Sequence, residues 1–456
     1  MGIDCGSYSP HVLRQIVYAG VQNTSFAAGR ADLLTLARLD IPEKQVERVT
    51  ERIGQERVDQ RQSQVQAFLA LPLMEKFAAP VTQAPDLAVV SMDGGRLQIR
   101  DQPSGDAAEG CVPNPARATE SSRNTVVAAA TSPAEAAEAA GEAKPGESAA
   151  AAGSPAAETR SGHWREDKIG LLMTMTSQES AVDPCPTIPE TFVNPLRILK
   201  LARQLRKGCA PTEDAVADPP EEEESPPECP EYTPPAVRVK SMVATRQDAE
   251  SFGEILAAAA LARGFYGARR KAFLGDGAET NRAVQKRWFS DFVAILDFIH
   301  GLSYVFAAAM AGRGFALGWD VYVRWISWVW QGRVAEVIQE LEQRQEELGL
   351  PGDDESESSP RQVVADTLRY LKNHQHQMRY DEYRRQGLPI TSSQVESTVK
   401  QFNRRGKGTE KFWSEKGAEA LLQLRADYLS ATEPVEKFWQ EREAGATGRR
   451  CYRRVV

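Results

Sequence analysis

Between Val237 and His300 the sequence alternates strand and helix patterns, and this leaves few folds open. VRVKSMVAT (Val237 to Thr245) has strand alternation, Asp248 to Ala262 reads as a helix, and RKAFLGD is a buried strand ending at Asp276. A second helix (Ala278 to Trp288) and a second strand, FVAILDF, lead into Ile299 and His300. Strand, helix, strand, helix is the signature of an α/β fold with parallel connections. In open α/β sheets ligands gather at the carboxyl ends of strands, which draws attention to Asp276, set free by the following Gly277.

The remaining strands are scattered. LAVVSM (Leu87 to Met92) is apolar and β-branched and ends at Asp93; Gly94-Gly95 and the alternating RLQIR follow, so a hairpin is expected. IGLLMTM, within HWREDKIGLLMTMT (His163 to Thr176), supplies another strand. Two stretches, at about 102–162 and 186–235, are rich in Ala, Glu, Ser, Pro and Gly and bury too little surface to offset their ordering entropy. They read as disordered insertions at loop tips of one sheet, the second containing a possible short basic helix, LRILKLARQLRK. Residues 81–101 and 163–303 therefore form the sheet-bearing core of the expected layout. Residues 1–80 are a helical N-terminal region; its Leu33 to Gly54 part resembles a helix-turn-helix, although no basic cluster marks a DNA-reading helix and plain packing is the simpler expectation. Residues 304–385 read as an all-helical insertion whose Trp319, Trp325, Trp328 and Trp330 suit a core, and His374 and His376, two apart, make a poor metal pair. Residues 386–440 are C-terminal helices and 441–456 a basic tail.

A net charge of −8 argues against a nucleic-acid partner only until its distribution is considered. Much of the acid lies in EEEESPPE from Glu221 and DDESESS from Asp353, whereas the segment after Tyr380 is basic. The six cysteines are scattered with no CxxC spacing and indicate neither a zinc site nor a disulfide framework, which fits a reducing cytoplasm. No stretch is long and apolar enough for a membrane span, so no membrane partner is expected.

In TSSQVESTVKQFNRRGKGTEKFW (Thr391 to Trp413), Ser392 or Ser393 can cap a helix with Glu396 in its first turn. Val395, Val399 and Phe402 recur on one face; Lys400, Asn403, Arg404 and Arg405 fill much of the rest. By itself Glu396 reads either as one half of a surface ion pair or as a metal ligand beside a phosphate track. If a mixed sheet joins Asp93 and Asp276 and this helix lies across it, three carboxylates reach the same ions. That is what two-metal phosphoryl transfer needs: hard oxygen ligands for two Mg²⁺ or Mn²⁺ ions about 3.5–4 Å apart.

VVSMDGG (Val89 to Gly95), HWREDKIG (His163 to Gly170), FLGDGAE (Phe273 to Glu279), ILDFIH (Ile295 to His300) and the long block from Leu388 to Ser430 resemble the DDE transposases of bacterial insertion sequences, nearest the ISKra type, a Mutator-like relative. The resemblance implies a ribonuclease-H-like mixed sheet with an all-α insertion and a helical N-terminal region. It implies a catalytic, metal-binding triad of Asp93, Asp276 and Glu396, with Asp297 the other candidate for the second position. It also implies support from Asp297 and His300, for which a helix-start histidine is the alternative. Lys400, Arg404, Arg405, Lys407 and Lys411 would hold DNA phosphates. The implied partner is double-stranded DNA, namely insertion-sequence ends and target, bound by a homo-oligomer in the bacterial cytoplasm. The reaction would be metal-dependent strand cleavage and transfer; the alternative is a truncated or inactive DNA-binding derivative. Such relatives carry a further basic N-terminal segment, so only part of a DNA-binding region is expected within 1–80. Gly406 stands where they have a larger apolar residue and is expected to end the helix early.

Overall fold

The computed structural model describes residues 8–78, 84–100, 164–205, 232–407 and 411–444, without the side chains of 202–205, Ser393, Val395 and Glu396. The chain divides into two units, 1–100 with 163–456, and 101–162. The second lies outside the described residues, as does the disorder expected there. Every described helix and strand belongs to the first.

Helices α1 (Pro10–Gln22), α2 (Phe26–Ala37), α3 (Glu43–Ala70) and α4 (Leu73–Lys76) precede strands β1 (Leu87–Ile99) and β2 (Trp164–Thr176). Next come α5 (Pro195–Leu205), β3 (Ala236–Thr245), α6 (Ala249–Ala262), β4 (Arg270–Gly275), α7 (Glu279–Trp288) and β5 (Val293–Leu296). A helical run follows: α8 (Phe298–Met310), α9 (Phe315–Trp330), α10 (Val334–Leu348), α11 (Pro360–His374) and α12 (Tyr380–Arg385). The chain closes with α13 (Ser393–Gly406), β6 (Phe412–Trp413), α14 (Glu415–Leu429) and α15 (Pro434–Ala444). The fold is α/β, with a six-stranded mixed sheet in the order β3-β2-β1-β4-β5 and β6 beside β1. β2 runs antiparallel to both its neighbours, β1 and β3; β4 and β5 extend the sheet parallel to β1, as the alternation of strand and helix requires. Among the described residues no helix is long and apolar enough to cross a membrane.

The expected hairpin at Gly94-Gly95 does not form. β1 runs for 13 residues straight through both glycines, paired with β2 from Leu87↔Met175 to Gln98↔Trp164. The glycines answer to a cross-strand neighbour instead of a turn: a Cβ on Gly95 would lie 2.7–2.8 Å from the carboxylate oxygens of Asp167. The sheet has two buried faces. Leu87, Val89, Ala272, Leu274 and Ile295 share one core with α1–α3 and α8–α14, while Ala88, Val90, Met92 and Phe273 meet α6 and α7 on the other.

The second expected insertion begins too early. Residues 186–205 are built into the fold: Ile198 is fully buried, the Phe192 ring packs edge-to-face on Phe298, and Tyr322 Oη–H donates to Phe192 O at 2.8 Å. Low-complexity composition hid these few anchors. The remainder of that insertion, 206–231, lies outside the described residues. Just upstream, Asp183 accepts from Arg384 Nε at 2.9 Å, and Arg384 is fully buried with its guanidinium over the Trp330 ring. Removing one partner of such a pair strands the other charge. Asp183→Ala should therefore cost about 3–5 kcal/mol of stability in a denaturant melt, against nearly nothing for a loose linker.

α3 is 28 residues long and packs across α14, where Gly54 lets Ala420 approach so closely that a Cβ would meet its methyl carbon at 2.6 Å and its carbonyl oxygen at 2.7 Å. Arg57 and Arg61 on α3 are buried and pair with Asp427 and Glu419 of α14. The helix expected to pack does pack. The four tryptophans do likewise: Trp325 and Trp330 are buried, and Trp319 and Trp328 pack against the same core.

Candidate active site

The pairing of β1 with β4 stops at Ser91 and Leu274, each two residues before its aspartate. Gly275 in turn pairs with Leu296, one residue before Asp297, and Asp297 N–H donates to Gly275 O at 2.8 Å. Asp93 thus stands level with Asp276 and Asp297, which follow the last residues of β4 and β5; Asp93 itself does not end its strand, as the sequence suggested it would, but lies inside β1, paired with Ile169 of β2. Strand alternation puts them on the face that carries Val89, Leu274 and Ile295, the face α13 covers.

The three carboxylates differ in what they are free to do. Asp297 is fully buried and committed: Ser392 N–H reaches Oδ1 at 3.0 Å, Ser392 Oγ–H reaches Oδ2 at 2.7 Å, Ile299 N–H caps onto Oδ1, and His300 Nδ1 sits 2.8 Å from Oδ2. Asp276 Oδ1 accepts from Ala278 N–H (2.9 Å) and Asn281 Nδ2 (2.7 Å), and among the described residues Oδ2 has no hydrogen-bond partner. Tyr370, stacked on Tyr304 at 3.7 Å, donates to the Asp276 carbonyl. Asp93 accepts the Gly94 N–H on Oδ1 at 2.7 Å. Burial lifts the Asp93 carboxyl above its usual range, and the negative charges of Asp276 and Asp297 add to this, opposed by the Gly94 N–H and by His300. For His300 burial disfavours the imidazolium. The hydrogen bond and charge of Asp297, with Asp276 and Asp93 beyond, outweigh it and raise the pKa.

A partly buried carboxylate whose charging a neighbouring carboxylate opposes is the setting a hard dication relieves, so Asp93, with Asp276 beside it, fits one. Asp297 does not fit, because both its oxygens are already taken. Its hydrogen bonds to Ser392 instead fasten the start of α13 to the end of β5, which places the backbone of Glu396, four residues on, in the first turns beside the strand ends. The Glu396 side chain lies outside the described residues. Among those described, no group of three or more His, Cys, Asp or Glu is arranged to hold a metal.

Of the expected phosphate contacts, Lys400 and Arg404 are exposed on α13 and Lys407 is half-exposed. Arg405 is a correction: it is 3% exposed, its Nε and Nη2 donate to Gly20 O, and its guanidinium lies against Phe26 and Trp413, where no phosphate reaches it. Lys411 turns its Nζ to the carbonyls of Arg404 and Arg405 (3.5 and 3.3 Å), neutralising the carbonyl end of α13. That end falls at Gly406, as expected, and its Cβ-free backbone sits where a side chain would meet Leu97 at 2.5 Å.

Asn281, Tyr370 and Asp167 are residues that the sequence did not single out, and Ser392, expected as a cap, stands at the N-cap position of α13 but gives its hydroxyl to Asp297 in place of a capping bond. Asn281 had a local signal, lying five residues past Asp276 in a helix's first turn; Tyr370 and Asp167 had none. Asp167 is 1% exposed beneath the carbonyl half of α13, and its Oδ1 has no partner among the described residues. Burial, with a smaller push from Glu166, raises its pKa to about 6, against the pull of Lys407 and Lys168. The folded protein therefore holds this proton more tightly than the unfolded chain, whose value is 3.8. Stability falls as pH rises through that window, and above it the ionised form costs about 3 kcal/mol. Asp167→Asn should gain about 1–3 kcal/mol over the wild type at pH 8, and the gain should vanish near pH 4; a gain equal at both pH values would show that ionisation is not its source.

No protein-family model and no curated protein matches this sequence.

Proposed function

We propose that the chain is the catalytic part of a DDE transposase with a ribonuclease-H-like core, which cuts and joins DNA strands with the help of two Mg²⁺ or Mn²⁺ ions. The observation that carries this reading is the level placement of Asp93, on β1 just past its pairing with β4, and Asp276, just past the end of β4, with the start of α13 pinned to the adjacent strand end through Ser392 and Asp297. Asp93, Asp276 and Glu396 would hold the ions. Bound there, the ions would lower the pKa of the attacking water or 3′-hydroxyl and stabilise the leaving oxygen.

The chain's own residues do the rest. Asn281 and the Ala278 N–H fix the Asp276 carboxylate through one oxygen and leave the other to a ligand. Asp297 fixes the ring of His300 through Nδ1, so that Nε2 is the nitrogen left to exchange a proton or meet a phosphate oxygen. Lys400, Arg404 and Lys407 offer a cationic track for the DNA backbone along α13. Double-stranded DNA, bound by a homo-oligomer in the cytoplasm, is the proposed partner.

Manganese titration by calorimetry tests the reading, alongside cleavage of supplied end-sequence DNA. The wild type should bind Mn²⁺ and nick DNA only with Mg²⁺ or Mn²⁺ present, and Asp93→Asn should lose both. A wild type that binds DNA, with a steep salt dependence, but neither binds Mn²⁺ nor cuts would leave a DNA-binding protein without catalysis.

A further inference from the structure

The carbonyl end of α13 is tied to the first helices of the chain. Arg405 Nε and Nη2 both donate to Gly20 O, at 3.1 and 3.0 Å. The guanidinium lies 4.4 Å from the centre of the Phe26 ring, on α2, and 5.0 Å from that of Trp413, on β6. Arg425 of α14 joins it, Nη1 donating to Val21 O and to the Gln22 side chain and Nη2 to Gln401 O. Two guanidiniums so occupy the end of α1, where the helix dipole favours cations. Burial, with the charge of Arg425, lowers the Arg405 pKa to about 10, which leaves it charged at neutral pH.

A buried cation is an unusual way to fill space. Methionine or leucine would occupy the same volume without the desolvation cost, so the guanidinium is better explained by the fixed geometry it imposes. The opposite end of the helix is held by Ser392 on Asp297. From Ser392 to Arg405 is about 20 Å of helix, and from Ser392 to Glu396 about 6 Å. By that ratio a swing of ~3 Å at the far end moves Glu396 by ~1 Å, and misplacement on that scale costs about 100-fold in rate.

We propose that Arg405 is a positioning residue: it fixes the far end of α13 on α1 and so sets where the helix carries Glu396 relative to Asp93 and Asp276. This rests on the metal-dependent reading of the site. It also makes the N-terminal helices part of the active site's scaffold, since α1 and α2 supply the carbonyl and one of the rings that hold Arg405.

The test compares Arg405→Met, Arg405→Lys and Phe26→Leu with Arg57→Met, a control that breaks a buried ion pair elsewhere in the same unit. Each is assayed below its melting temperature for Mn²⁺ affinity, for cleavage rate at saturating metal and for DNA affinity. Arg405→Met should weaken Mn²⁺ half-saturation about tenfold and slow cleavage about 10- to 100-fold, with DNA affinity within about twofold of wild type. Arg405→Lys, which keeps the charge but loses the fork, should fall between, and Arg57→Met should lower the melting temperature without changing cleavage per folded molecule. If Arg405→Met does not fold, Phe26→Leu carries the test, with a several-fold loss in Mn²⁺ affinity and rate. Variants that lose only thermal stability, while cutting and binding Mn²⁺ like an active wild type, overturn the inference alone. A wild type that neither binds Mn²⁺ nor cuts overturns it together with the reading it rests on.

Discussion

Replacing Glu396 with glutamine should reduce Mg²⁺- or Mn²⁺-dependent strand cleavage by about a thousandfold and leave DNA affinity unchanged or slightly raised. Glutamine keeps the size and polarity of the side chain in the first turns of α13, so the helix and its anchor at Ser392 are undisturbed. What it removes, on the proposed reading, is the negative charge that would complete a dication's ligand set. Loss of several kcal/mol of charge stabilisation in the transition state, about 4 kcal/mol, corresponds to that factor. A carboxylate near a phosphate repels it, so binding should not suffer. Arg404→Ala gives the opposite pattern, weaker binding across all sequences and a salt dependence shallower by about one unit of slope. A gel-shift and cleavage assay on one DNA separates the two. Cleavage by the Gln variant at the wild-type rate would remove Glu396 from the metal site.

Asp297→Ala is expected to cost about 3–5 kcal/mol of stability and to abolish cleavage as well. The carboxylate is fully buried and accepts from Ser392 N–H and Oγ–H and from Ile299 N–H, besides meeting His300. Alanine leaves buried donors unpaired at about 1–3 kcal/mol each and strips α8 of its cap. Denaturant melts measure the first effect. Asp297→Asn sharpens the second, because it keeps the volume but withdraws the charge that raises the His300 pKa. With its folded value raised above 6.5, His300 adds stability that is fully present at low pH and is lost as pH rises through that folded value. The Asn variant should show less of this loss. If it cut DNA as the wild type does, Asp297 would be a structural cap and nothing more.

Much of this protein is written in local pattern. The alternation from Val237 to Leu296 determines an α/β sheet with parallel strands, because apolar residues at period 2 and period 3.6 can be buried together in few other ways. The same periods place Asp276 just past a strand end and Val399 and Phe402 on the inner face of a helix that begins at a serine pair, whereas the strand expected to end at Asp93 runs on to Ile99. Partners distant in sequence decided the rest. Gly94-Gly95 has the composition of a turn, yet the carboxylate of Asp167, more than 70 residues away, takes the space a side chain would need, and the strand runs on. Asp276 and Asp297 look alike in sequence; Ser392 saturates one and leaves the other open. Arg405 reads as one more cation on a basic helix until Gly20, Phe26 and Trp413 close around it. A side chain's period assigns it to a face. Whether that face meets water, an opposite charge or a carbonyl is set by contacts between segments that only the folded chain brings together.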